Sequence, residues 1–143
     1  KPARSTTLKL FNPRNDIPIM NDNFSQSHRP TEFRLKQEEK ILEVDFDNGK
    51  SFSLPAELLR VESPSAEVQG HSPDQKTVIA GRKHVGILGV EPVGNYAVRL
   101  KFDDLHDTGI FTWEALYKFG TDQDTMWQSY LDALAEKGLS RDP

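Results

Sequence analysis

Cysteine is absent from this 143-residue chain, and several other signatures of function are missing with it. Without thiols the chain can form neither a disulfide framework nor a thiolate metal site. No apolar run approaches the roughly 20 residues that a membrane-spanning helix needs. The sequence also lacks a Gly-x-Ser-x-Gly nucleophile motif and a glycine-rich loop that opens a helix. The residues therefore offer no evident catalytic constellation.

Charge and apolar residues are unevenly distributed along the chain. Residues 1–40 carry a formal charge of +3 and residues 41–143 carry −7, which gives a net charge of −4. An acidic body argues against non-specific binding to nucleic acid, which requires clustered cations. Hydrophobic residues make up only 36% of the chain, and the aliphatic ones are concentrated after residue 40. We expect one folded domain, residues 32–143, preceded by an arm of residues 1–31.

The arm combines turn-forming polar clusters with a few apolar residues, a composition that is disordered in isolation. We expect those apolar residues to bind a partner protein, and the alternative is that they pack along the arm's own domain. The chain begins at Lys1 rather than methionine, which either a cleaved organelle-targeting segment or a shortened chain would explain. The predicted anchors are Leu8, Leu10, Phe11, Ile17, Ile19, Met20 and Phe24.

The body alternates strand and helix signals. Charged and apolar residues alternate over residues 32–36 and 41–46, and Asn48-Gly49 then predicts a hairpin turn into a strand at residues 51–53. Further strands are predicted at 77–81, 85–90, 96–102 and 108–111, with Tyr96 on the core face of the third. The pattern predicts an α+β fold with small antiparallel sheets.

Two segments repeat the order strand, turn, short strand and helix. The first ends in a helix that begins at Pro55, and the second ends in a helix capped by Thr112 that stops near Gly120. A last amphipathic helix is predicted from Thr121, as its N-cap, to Gly138. Its apolar stripe, Met126 to Ala135, is predicted to face the core.

The first of these helices delivers a polar loop, and histidines lie in or near other loops. Pro64 stops the helix, and the loop continues to His71. His106 and Asp103-Asp104 fall in a predicted turn, where we expect an exposed histidine and solvated carboxylates rather than ligands. His71 is expected to be a hydrogen-bonding loop residue.

Two stretches resemble the gamma-butyrobetaine hydroxylase-like N-terminal domain family. They are LPAELLRVESPSAEVQGH, residues 54–71, and GILGVEPVGNYAVRLKFDDLHDTGIFTWEALYKFG, residues 86–120. In hydroxylases of this family the domain binds a structural zinc ion through three cysteines and a histidine, and it precedes an iron-dependent catalytic domain. The resemblance places the ligand positions at Ser63, Ser65, Val68 and His106. One ligand of four cannot hold structural zinc, so we expect a degenerate site and no cofactor.

The resemblance implies a role without catalysis, since the iron-dependent domain has no counterpart here. Similar proteins look like accessory subunits of mitochondrial respiratory complex I, and we expect this chain to be such a structural subunit on the matrix side. Its expected partners are protein subunits, with no nucleic acid, membrane span or small-molecule substrate. Two other roles stay open, namely a docking factor in iron–sulfur cluster assembly and a regulatory partner of a separate 2-oxoglutarate-dependent dioxygenase.

Overall fold

Two small antiparallel sheets and four α-helices form the part of the chain that the computed structural model describes, residues 5–9 and 28–143. The expected α+β class is confirmed. The first sheet has the order β1 (Ser5–Lys9), β2 (Pro30–Lys36), β3 (Ile41–Phe46) and β4 (Ser51–Pro55). The second has the order β5 (Ile87–Val93), β6 (Ala97–Phe102) and β7 (Gly109–Thr112). The helices are α1 (Ala56–Val61), α2 (Ala66–Gln69), α3 (Trp113–Thr121) and α4 (Gln123–Glu136).

The predicted repeat is confirmed, and each sheet ends in one copy of it. In the first sheet β3 and β4 form a hairpin closed at Gly49, which has a φ of 87°, and α1 follows directly. In the second sheet β6 and β7 pair and α3 follows. Thr112 caps α3 as predicted, since its hydroxyl accepts a hydrogen bond from the Ala115 N–H at 3.1 Å.

One hydrophobic core joins the inner faces of both sheets to α1 and α3. Strand alternation buries Leu42, Val44 and Phe46, as the sequence predicts, and leaves charged residues on the outer face. There Arg34 donates to Asp45 at 2.7 and 2.8 Å and to Glu43 at 2.9 Å.

The junction of α3 and α4 differs from the prediction. α3 continues through Gly120 to Thr121, and Asp122 rather than Thr121 is the N-cap position of α4. Gly120 serves packing instead of ending the helix, because a Cβ at this position would overlap the Phe52 ring. In α4, Tyr130 and Leu134 are buried as predicted, while Ala135 is exposed.

Two details of the predicted strands are wrong. Residues 77–81 form no strand. They pack against α4, where the Tyr130 hydroxyl donates to the Ile79 carbonyl at 2.6 Å, and the backbone N–H groups of Thr77 and Gly81 donate to carbonyls outside this segment. Tyr96 is 48% exposed. The strand β6 begins one residue later, at Ala97, and both Ala97 and Val98 are buried. The tyrosine therefore belongs to the preceding turn and not to the core.

Residues 5–9 of the predicted arm lie on the protein's own sheet. β1 pairs with β2, with Leu8 opposite Phe33, and the half-buried Leu8 packs against the core. For this stretch the structure therefore has the alternative arrangement, packing along its own domain. The predicted boundary at residue 31 falls inside β2. The other predicted anchors, Leu10, Phe11, Ile17, Ile19, Met20 and Phe24, lie outside the described residues.

Candidate functional site

The polar loop after α1 meets the turn between β6 and β7. α1 ends at Val61, and Ser65 then caps the short α2 by accepting a hydrogen bond from the Glu67 N–H at 3.1 Å. This geometry directs Ser63 and Ser65 toward the turn of the second sheet. The Ser63 hydroxyl lies 3.1 Å from His106 Nε2, and Ser65 lies 2.8 Å from the Thr108 hydroxyl. Three of the four positions that the resemblance singled out are thus in one place.

We call Ser63, Ser65, Glu67, His106 and Thr108 the loop–turn cluster, and with a neutral imidazole its hydrogen bonds admit one consistent set of donors. Thr108 donates to Glu67 Oε1 at 2.9 Å, so the Thr108 oxygen accepts from Ser65. His106 Nδ1 lies 2.9 Å from the same carboxylate oxygen and donates to it. Nε2 of a neutral imidazole is then an acceptor, which receives the Ser63 proton. The Ser63 oxygen in turn accepts from the Ser65 N–H at 3.3 Å.

His106 is buried, which corrects the expectation of an exposed turn histidine. Its side chain is 4% exposed, because the turn folds back against the loop after α1. Burial lowers the pKa of His106 below its ordinary value of 6.5, and the positive charge of Arg60 lowers it further, whereas Glu67 and Asp104 oppose the shift. The imidazole is therefore neutral at pH 7, as the donor assignment requires.

The order Ser63, His106 and Glu67 matches the nucleophile, base and carboxylate of serine hydrolases, but the site is closed. Ser63 is fully buried. Gly109 covers its hydroxyl so closely that a Cβ on the glycine would overlap it. A nucleophile needs space for a reacting carbonyl about 3 Å away, and here protein atoms fill that space. The arrangement can hold two segments together but cannot admit a substrate.

A second polar contact reinforces the same junction, and sequence reasoning missed it. Arg60 in α1 and Arg82 both donate to Asp104 Oδ2, at 2.7 and 2.6 Å, and Asp104 Oδ1 accepts from the His106 N–H at 3.2 Å. Burial alone would raise the pKa of Asp104, but the hydrogen bonds from both arginines lower it overall. Asp104 is therefore a half-buried anchor and not the solvated turn residue expected. Only the fold brings it to Arg60, 44 residues away.

The residues present do not fit a zinc ion. Val68, the remaining position singled out by the resemblance, is fully buried and has no donor atom, and the serine hydroxyls already bond within the loop–turn cluster. Within residues 5–9 and 28–143, no three histidine, cysteine or acidic side chains are grouped as metal ligands.

The other histidines lie elsewhere in the fold. His28 stacks on Tyr117, with ring centroids 3.6 Å apart. His71 is exposed, and its backbone N–H donates to Gln75 at 2.9 Å, which agrees with a hydrogen-bonding loop residue. The His84 carbonyl accepts from Lys40 at 2.7 Å. None of the helices in the described residues is long and apolar enough to cross a bilayer.

Three solved structures are similar to this chain. Two proteins with solution NMR structures are 48% and 45% identical to it; the matches cover 81% and 84% of this chain and 91% and 89% of theirs, with TM-scores of 0.71 and 0.73. A crystal structure from Acidithiobacillus ferrooxidans, described as a protein of unknown function in the DUF971 family, is 40% identical. That match covers 64% of this chain and 92% of the other, with a TM-score of 0.55.

The family comparison agrees with these likenesses. No curated protein matches the chain. The family model described as gamma-butyrobetaine hydroxylase-like, N-terminal, matches residues 33–117, which run from within β2 into α3 and include the whole loop–turn cluster. The chain therefore belongs to the gamma-butyrobetaine hydroxylase-like N-terminal domain family.

Proposed function

We propose that this chain is a non-catalytic structural subunit that acts by contacting other proteins, and that mitochondrial respiratory complex I is the assembly it serves. One observation carries the non-catalytic part of this proposal. The loop–turn cluster contains a serine, a histidine and a carboxylate in hydrolase order, yet both Ser63 and His106 are buried. His106 bonds to both Ser63 and Glu67, so the chemistry of these side chains serves to join two segments.

The way the junction is built also supports a structural role. A substrate site presents donors and acceptors to a ligand, whereas the loop–turn cluster uses its hydroxyls, its imidazole and one carboxylate oxygen internally. Arg60, Arg82 and Asp104 fix the same turn from its other side. A domain held this firmly can present a defined surface to a partner with little loss of conformational entropy.

The resemblance to accessory subunits of complex I supplies the choice of that assembly, and on this proposal the chain acts on the matrix side of the mitochondrial inner membrane. The test is native electrophoresis of mitochondrial membranes from cells that express the chain. An antibody raised against the purified chain should detect it. We expect the chain to migrate with NADH:ubiquinone oxidoreductase activity.

Deletion of the chain provides the matched measurement. We expect less assembled complex I and proportionally less NADH:ubiquinone oxidoreductase activity, both restored by the wild-type chain. A folded Ser63→Ala variant should also restore both, because a structural role needs no nucleophile. Migration with an iron–sulfur carrier ATPase or with a dioxygenase would replace complex I by one of those assignments. A chain that migrates only as a monomer would refute the proposal.

A further inference from the structure

Leu105 lies at the tip of the β6–β7 turn. Contacts within the described part of the chain do not account for its backbone conformation or for its exposure. It is 88% exposed, the highest value among the large hydrophobic residues there. Its φ is +73°, in the left-handed region that favours glycine and asparagine. Holding leucine there costs free energy, and the side chain recovers almost none of it by burial.

Lys40 provides an internal comparison, since it is the other non-glycine residue with positive φ in the described part, at +59°. Its side chain donates to the His84 carbonyl at 2.7 Å, and its own carbonyl accepts from the Ala56 N–H at 2.9 Å. Contacts within the chain therefore account for Lys40. In the described part of the chain, Leu105 makes a hydrogen bond only through its backbone, where its N–H donates to the Phe102 carbonyl at 3.2 Å.

The residues on both sides of Leu105 are fixed. Asp104 accepts from two arginines, and His106 is held by Ser63 and Glu67. The turn is closed by the Phe102 N–H, which donates to the His106 carbonyl at 3.0 Å. Leu105 is thus an apolar side chain held outward on a rigid support, which is the property of an interface anchor that binds with little ordering cost.

The charges around this leucine indicate what it binds. Asp103 and Asp107 are exposed on the same turn, and the Glu67 side chain is 65% exposed beside His106. These carboxylates would be repelled by an anionic lipid surface and attracted by lysine or arginine. We propose that Leu105 docks into an apolar pocket of a partner protein whose rim carries basic residues. This inference rests on the proposed function, because it names the surface through which the chain joins its assembly.

The test uses the assembly from cells that lack the chain, to which purified wild-type or variant chain is added back. Leu105→Asn suits the left-handed backbone and removes the apolar contact, so we expect it to fold as stably as wild type by urea titration. Loss of one buried leucine contact should weaken rebinding by about 10- to 100-fold. Leu88→Asn is the matched control, since Leu88 is also exposed, at 60%, and we expect less than a threefold change.

A photo-crosslinking amino acid at position 105 then identifies what lies opposite. We expect a crosslink to a partner peptide that contains apolar residues next to lysine or arginine. Rebinding of Leu105→Asn at wild-type affinity, a crosslink to lipid, or a crosslink to an acidic peptide would each overturn the proposal. If the wild-type chain itself fails to rebind, the proposed function fails and this inference fails with it. If the wild-type chain rebinds and Leu105→Asn does so equally well, only the inference fails.

Discussion

Replacing Ser63 by alanine tests the loop–turn cluster most directly. The serine oxygen bonds to His106 Nε2 at 3.1 Å and accepts from the Ser65 N–H at 3.3 Å, and the residue is fully buried. Alanine leaves an acceptor and a donor without partners, each at a cost of about 1–3 kcal/mol when water cannot replace the bond. We expect the free energy of unfolding to fall by about 2–4 kcal/mol, a large share of the roughly 5–15 kcal/mol typical of a domain.

Urea unfolding at pH 7.5, followed by fluorescence of Trp113 and Trp127, measures this loss. The control is Ser51→Ala. Ser51 is exposed and its side chain makes one hydrogen bond, to Asp45 at 2.7 Å, so we expect the free energy of unfolding to fall by less than about 1 kcal/mol. A loss for Ser63→Ala no larger than that of the control would refute the stabilising role of these two hydrogen bonds. A zinc chelator should leave the wild-type unfolding curve unchanged, and a chelator-induced loss of stability would refute the conclusion that these residues do not fit zinc.

Three further predictions concern buried ionisable groups. Asp104→Asn should destabilise the fold by about 3–5 kcal/mol, because it leaves the buried Arg60 poorly paired. Arg82 is the more exposed of the two arginines, so Arg82→Ala should cost less than about 1 kcal/mol in the same titration. NMR should show His106 titrating below pH 6.5. Just below pH 6.5 the unfolded chain takes up this proton and the folded chain does not, so stability should fall as the pH drops. A normal or raised pKa of His106 would contradict this. Burial raises the pKa of Tyr130 to about 12, so stability should fall as pH rises from 10 to 12, and ultraviolet absorbance should show one late-ionising tyrosine.

Local patterns predicted most of the fold because they follow from local physics. The alternation in β3, the Asn48-Gly49 turn and the Thr112 cap are each determined by neighbours along the chain, and the structure confirms all three. The errors arose where a distant contact decides the outcome. Gly120 continues a helix because it packs against Phe52, and no local signal contains that contact.

The site could be predicted only through the resemblance. It brought Ser63, Ser65 and His106 to attention, and the structure places them together. It did not indicate Glu67 or Thr108, which complete the cluster across a separation of 41 residues. A serine with an acidic residue two positions later is a common helix start, so this pattern predicts a cap and carries no information about a partner in another turn.

Apolar burial and paired charges hold this junction together beside the hydrogen bonds of the loop–turn cluster. Here a fully buried Val68 adds about 1.5–3 kcal/mol by burial, and Arg60 with Asp104 adds a charged contact to the same turn. Because the cluster needs a neutral His106, we expect the stability of the junction to depend on pH, and we expect the turn that presents Leu105 to stay fixed wherever the pH exceeds the pKa of that histidine.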